Sequence, residues 1–217
     1  YVTFGKPIEI PQYLAEKVPN WREDIDPEGK NRPAWLHDTV NRLADNIIRN
    51  LNGAAQANGI NLCALAIMSD TDHTMSMAKL HACINMYLRL MKADEKLHDL
   101  MPKQTAGVLI KQALELNKFH VYDVGEDMKF VRPSYGQSLQ LTYFENNIVH
   151  LFALPALIAN IIIRNGHITR EDIRVHTRQI FYFLRHELYA PVDESRLDML
   201  ITRYINCFLV SGYITEN

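Results

Sequence analysis

No GxSxG elbow, no CxxC pair and no glycine-rich phosphate loop occurs in the 217 residues. The hydrolase nucleophile, the thioredoxin-like redox pair and the P-loop therefore have no footing here. Cysteine is scarce: Cys63, Cys83 and Cys207 are odd in number, widely spaced and set within apolar helical patterns. That usage fits a reducing compartment and supplies neither a disulfide framework nor a zinc spacing. Basic excess is missing too. With 23 Lys+Arg against 25 Asp+Glu the net charge is -2, which argues against a surface built mainly to neutralise nucleic-acid phosphates. No signal peptide and no long transmembrane run is visible. What remains, 47% hydrophobic and 22% charged residues, is ordinary for a soluble globular protein.

One local absence organises the rest. Between Glu145 and Arg164 there is no Asp, Glu, Lys or Arg. The stretch 139–164 opens with an alternating run, Leu139, Leu141 and Tyr143, which predicts a short strand. After Asn146-Asn147 the spacing predicts a helix, with Ile148, Leu151, Phe152, Leu154, Leu157, Ile158, Ile161 and Ile162 covering nearly all faces. A helix apolar all round is either a core helix or a membrane segment. The charge-free run lies at the lower limit of a bilayer span and contains His150, Pro155 and Asn160. A buried core helix is the better fit.

Along the chain, Tyr1-Val2-Thr3-Phe4 reads as a strand before Gly5 and Pro7. Isolated strands need partners, so the rest of a sheet is expected upstream, with Tyr1 as a cut point. The charged stretch 19–32 reads as a linker or an ordered crossing loop. A helix follows from Asn31 and Pro33 through Leu43, Ile47 and Leu51, with Asn52-Gly53 expected to weaken or end it. Three helical segments then precede a β-hairpin at Phe119–Tyr122 and Lys129–Val131. The second half repeats this order, with His167-Ile168-Thr169-Arg170 in the place of His73-Thr74-Met75-Ser76. There Asp193 is expected to cap the last helix, and Tyr213-Ile214-Thr215 to form a strand. The expected class is mainly α, with two winged-helix-like units of three helices plus a strand or hairpin each. Its divisions are 1–18, the end of an upstream α/β domain; 19–35, a linker; and the units 36–135 and 136–217.

Candidate chemistry is thin. His167 and Asp172 have the His-x4-Asp spacing in which an imidazole takes a hydroxyl proton and a carboxylate holds its tautomer. The pair falls at a helix start, however, where Thr169 and Asp172 suit a capping box, and that context favours a cap. His150 is either a core histidine satisfied by a neighbour or a residue lining an apolar groove. The arginines Arg164, Arg170, Arg174, Arg178 and Arg185 of the second helix-turn-helix raise a DNA-binding or protein-interaction module as the alternative. The first unit lacks such a set, and a helical packing module is favoured on charge.

The segment Leu141-Thr142-Tyr143-Phe144-Glu145-Asn146-Asn147-Ile148-Val149-His150, followed by Leu154-Pro155, resembles the C-terminal region of bacterial glycerol-3-phosphate acyltransferases. The family pattern is similar to LTYYRNNI-x-H followed by LP, and this chain departs from it mainly at Phe144 and Glu145. Collinear matches extend the resemblance: Tyr1 to Ile8, Arg32-Pro33-Ala34-Trp35-Leu36, Asn61-Leu62-Cys63, Leu116-Asn117-Lys118-Phe119 and His167-Ile168-Thr169-Arg170.

The resemblance implies a membrane-associated parent enzyme that moves a fatty acyl group from acyl-CoA or acyl-carrier protein to the 1-position of glycerol-3-phosphate, yielding lysophosphatidic acid. It implies a place on the cytoplasmic face of the bacterial inner membrane, an upstream acyltransferase domain as partner, no cofactor and no nucleic acid. The family's catalytic and phosphate-binding blocks precede Tyr1, so no catalytic or metal-binding residue carries over. Under this resemblance His167 and Asp172 are a decoy. Tyr143, Asn147, His150, Leu154 and Leu157 are the candidates for an acyl groove or for its support.

Overall fold

Pro11 sits in the first turn of α1 (Ile10–Lys17), where a missing N–H costs no helical bond. The computed structural model describes residues 4–125, 128–190 and 192–216, in two units, Tyr1–Ala54 and Ala55–Asn217. The strand expected at Tyr1-Val2-Thr3-Phe4 lies outside the described residues except for Phe4, which is exposed and not in a strand. In the first unit the stretch 19–32 is an ordered crossing. Its anchor is the Asp26 carboxylate, which accepts the N–H groups of Glu28 at 3.0 Å and Asn31 at 2.9 Å. Those donors hold the Asp26 carboxyl below the usual carboxylate range. Helix α2 (Leu36–Ala54) then ends one residue after Gly53, where Asn52-Gly53 is expected to weaken or end it. A helical glycine costs about 1 kcal/mol relative to alanine, which suits it to the last turn of a helix.

The second unit is built around α3 (Gly59–Met68), in which every residue from Gly59 to Ile67 is buried. Asn58 caps it, its side chain accepting the Asn61 N–H at 3.1 Å. Around it lie α4 (Met77–Ala93), capped by Ser76 through the Lys79 N–H, and α5 (Ala106–Glu115). Gly59 is the tightest of these approaches. A Cβ there would come within 2.3 Å of the Leu109 carbonyl oxygen of α5, a backbone atom that cannot swing aside. Gly59→Ala is therefore expected to cost roughly 1–3 kcal/mol or more, read as a lowered urea midpoint.

The hairpin forms as expected from β2 (Phe119–Asp123) and β3 (Lys129–Pro133). A two-residue strand, β1 (Met75–Ser76), adds to it in the order β1-β3-β2, all antiparallel. Buried Met75 pairs with buried Val131 and seats this small sheet on the helices. The turn expected at 73–76 thus contributes a strand as well as a cap.

The chain is mainly α, but three details of the second half differ from expectation. The run 139–143 is not a strand; it lies in α6 (Ser138–Asn146). Leu141, Phe144 and Ile148 turn inward at helical spacing while Leu139 and Tyr143 are exposed, so the apparent alternation was accidental. After a bend of 84° comes α7 (Val149–Asn165), then α8 (Arg170–Leu188) and α9 (Leu197–Val210). Asp193 does not cap α9 with its side chain. It precedes a short 3-10 turn, Glu194–Arg196, and its carboxylate instead meets Lys96 Nζ at 2.5 Å.

Tyr213-Ile214-Thr215 is not a strand either. Gly212, at φ +73, folds the chain back, and the Tyr213 N–H closes on the Phe208 carbonyl at 3.0 Å. Ile214 packs on the core and Glu216 reaches Arg170. Tertiary contacts of one turn outweigh the β-propensity of three residues. Among the described residues no strand follows the second set of helices, so the strand or hairpin expected in the unit 136–217 is not formed.

Candidate functional site

Three of the blocks that carry the family resemblance, at 61–63, 116–119 and 141–150, meet around α6. The Asn61 side chain, buried in α3, donates to the Phe144 carbonyl at 2.7 Å. Lys118 Nζ donates to Gln137 Oε1 at 2.9 Å and Gln140 Oε1 at 2.7 Å, tying the approach to β2 to the start of α6. Glu145, one of the two departures from the pattern, is partly buried on this helix. Burial pushes its carboxyl above the ordinary carboxylate value, with His73 opposing.

The five candidates do not converge on one wall. His150 and Leu154 are buried in α7, Leu157 is half-buried against the core, and Tyr143 and Asn147 are exposed. None of the five lines the groove beside α8 or the smaller cavity at the C-terminal turn. Among the described residues no single helix is long and apolar enough to cross a membrane. Helices α6 and α7 reach that length and composition only together, across their 84° bend, and eight residues of α7 are buried.

A surface groove of about 1140 Å3 lies beside the turn from α7 to α8, bordered by His167, Arg170, Asp172, His176 and Glu216. The His-x4-Asp spacing is present in it, but its hydrogen bonding is that of a helix start. Thr169 Oγ1 accepts the Asp172 N–H at 3.1 Å and donates to Asp172 Oδ2 at 2.6 Å. The carboxylate that would orient His167 is thereby committed to the cap, and it faces the positive end of the α8 dipole. Arg170 forms a fork on Glu216, Nε to Oε1 at 2.6 Å and Nη2 to Oε2 at 2.8 Å, with Nη1 on Asn206 Oδ1 at 3.1 Å. This pairing holds the Glu216 carboxyl below its ordinary value. Two other arginines of the set are similarly engaged, Arg174 on Glu171 and Arg178 on Asp198. A face for nucleic-acid phosphates needs its cations available, and here three of them already meet carboxylates.

The thiols are quiet. Burial pushes Cys63 from an ordinary 9.0 to about 12, and raises Cys83 and Cys207 as well. A thiolate is the reactive form, so Cys63 should escape disulfide-exchange reagents at neutral pH in the folded chain and react once urea unfolds it. The sign of the linked stability follows. The unfolded thiol ionises near 9 while the folded one stays protonated, so this contribution is complete below about pH 9 and is lost as pH rises towards about 12. Urea titrations across that window check it.

The sequence matches the family described as "Glycerol-3-phosphate acyltransferase C-terminal region" over residues 1–217. The chain belongs to this family. Among relatives of the glycerol-3-phosphate acyltransferase C-terminal region, the glycerol-3-phosphate acyltransferase of Aeromonas hydrophila subsp. hydrophila is 39% identical over 204 residues. That similarity covers 93% of this chain and 25% of the relative, so the chain spans about a quarter of the length of the curated relative it matches.

Sequence reasoning missed the Arg170–Glu216 fork. The two residues are far apart in the chain, and no local pattern joins them. It also missed the Asn61–Phe144 bond, although both residues stood in blocks already singled out by the resemblance.

Proposed function

We propose that this chain is the C-terminal, supporting part of a glycerol-3-phosphate 1-O-acyltransferase and holds none of that reaction's catalytic groups. The match over residues 1–217 carries the proposal, and the commitment of Asp172 to Thr169 agrees with it. In this reading the parent protein takes its acyl group from acyl-CoA or acyl-carrier protein and forms lysophosphatidic acid. It works at the cytoplasmic face of the bacterial inner membrane, in the first step of phospholipid synthesis.

The acyltransferase domain of the same protein is the proposed partner, and α2 offers it a surface. Val40, Ile47 and Leu51 lie on one face of that helix and are 51%, 44% and 64% exposed. Ile47→Asp should leave the folding of the isolated chain within about 0.5 kcal/mol of wild type, as for an exposed site, yet lower acyl transfer by the complete enzyme. Full activity of that variant in the complete enzyme would overturn the assigned surface.

A further inference from the structure

Beneath the C-terminal turn lies a second, smaller cavity of about 320 Å3, walled by α4, α7, α9 and the tail. Helix α4 contributes Met86 and Tyr87, α7 contributes Ala159 and Ile162, α9 contributes Phe208, and the tail contributes Ile214. Cys83, Ile163 and Tyr213 complete the wall, whose lining is almost entirely apolar. Burial pushes the Tyr87 phenol up, and Ser69 is its polar neighbour. A space with so few hydrogen-bonding groups holds water poorly and selects against polar ligands.

We propose that this cavity binds the unbranched alkyl chain of a single-chain lipid. The volume decides the length. At roughly 30 Å3 for each water-sized group, it accommodates on the order of ten carbons. It also lies at the lower end of small-molecule sites, about 300–1,000 Å3, which excludes a two-chain lipid. The cavity shares Ile162, Ile163, Tyr213 and Ile214 with the charged groove beside α8, so a chain inside it leaves its headgroup in water at that groove.

The shared wall includes the C-terminal tail. The tail is held by the Gly212 turn, by the Tyr213 N–H on Phe208 and by the exposed Arg170–Glu216 fork. Exposed ion pairs are weak fastenings. The fork fastens the tail segment that borders the cavity. The inference stands apart from acyl transfer, because binding is measured on this chain without turnover.

Calorimetric titration of the 217-residue chain with monomeric hexanoate, octanoate, decanoate, dodecanoate and tetradecanoate tests it. Affinity should rise about fourfold for each added methylene and level off near decanoate, where the cavity is full. Ala159→Phe, which fills the space, should weaken decanoate by roughly tenfold or more while the chain stays folded by circular dichroism. Should that variant melt, wild type still decides the matter. Decanoate should slow iodoacetamide alkylation of Cys83, which lines the cavity, and leave that of Cys207, which does not, unchanged. Absence of saturable binding, an affinity that climbs through tetradecanoate without levelling, or unprotected Cys83 would each overturn the proposal. So would capture of the chain only by vesicles of phosphatidylethanolamine and phosphatidylglycerol with no binding of the monomers.

Discussion

Leu154→Asp is expected to unfold the second unit outright. Leu154 is 2% exposed in the middle of α7 and belongs to the same core cluster as Leu62, Ile84, Phe152 and Tyr204. The substitution removes a buried side chain, at about 2–5 kcal/mol, and adds an unpaired carboxylate with no room to be hydrated. Since whole domains are stable by only about 5–15 kcal/mol, the helical signal should be lost at temperatures where wild type is folded. Leu157→Asp is the contrast. That side chain is half-buried, so a milder loss is expected and the variant should still melt cooperatively. Comparable melting of the two variants would mean that α7 is not the packed element described here.

Asp94→Ala should be the costliest change among the polar residues. Asp94 is 2% exposed and stands at the end of α4, where its carboxylate accepts the Lys96 N–H at 3.0 Å and Arg196 Nη2 at 2.6 Å. Around it Arg203 reaches Glu95 at 2.9 Å and the Ala93 carbonyl at 3.2 Å, and Lys96 reaches Asp193. This knot joins 93–96 to 193–203, which are far apart in the chain. Removing the carboxylate leaves the largely buried Arg196 guanidinium without its partner, which costs about 3–5 kcal/mol. Asp94→Ala combined with Arg196→Met should recover a good part of that loss, since the stranded charge is gone. A double variant as unstable as the sum of the single ones would deny the coupling. By contrast, losing the exposed Lys96–Asp193 pair should cost no more than about 1 kcal/mol.

Much of the helical order was legible because apolar residues recur at helical spacing over long windows, as in α4 and α9. The hairpin was legible from β-rich residues on either side of the Gly125 turn. Short segments failed where tertiary contacts decide. The run 139–143 alternates in sequence, yet α6 forms because Leu141, Phe144 and Ile148 pack inward and Asn61 pins the Phe144 carbonyl. Tyr213 to Thr215 has strand residues, but the Gly212 turn and the Arg170 fork fold it back on the helices. The capping role of Thr169 and Asp172 was legible from spacing and context, and the structure has that cap. The alkyl cavity was not legible, because Ala159, Ile162 and Phe208 read like any core residues. A cavity wall has no periodicity of its own.

The measurement that bears most directly on the assignment is acylation of labelled glycerol-3-phosphate by the purified chain, with circular dichroism as the check on folding. The account predicts a folded chain with no turnover from acyl-CoA or acyl-carrier protein. Turnover by the chain alone, abolished by His167→Ala, would contradict it and make the His167–Asp172 spacing a working pair.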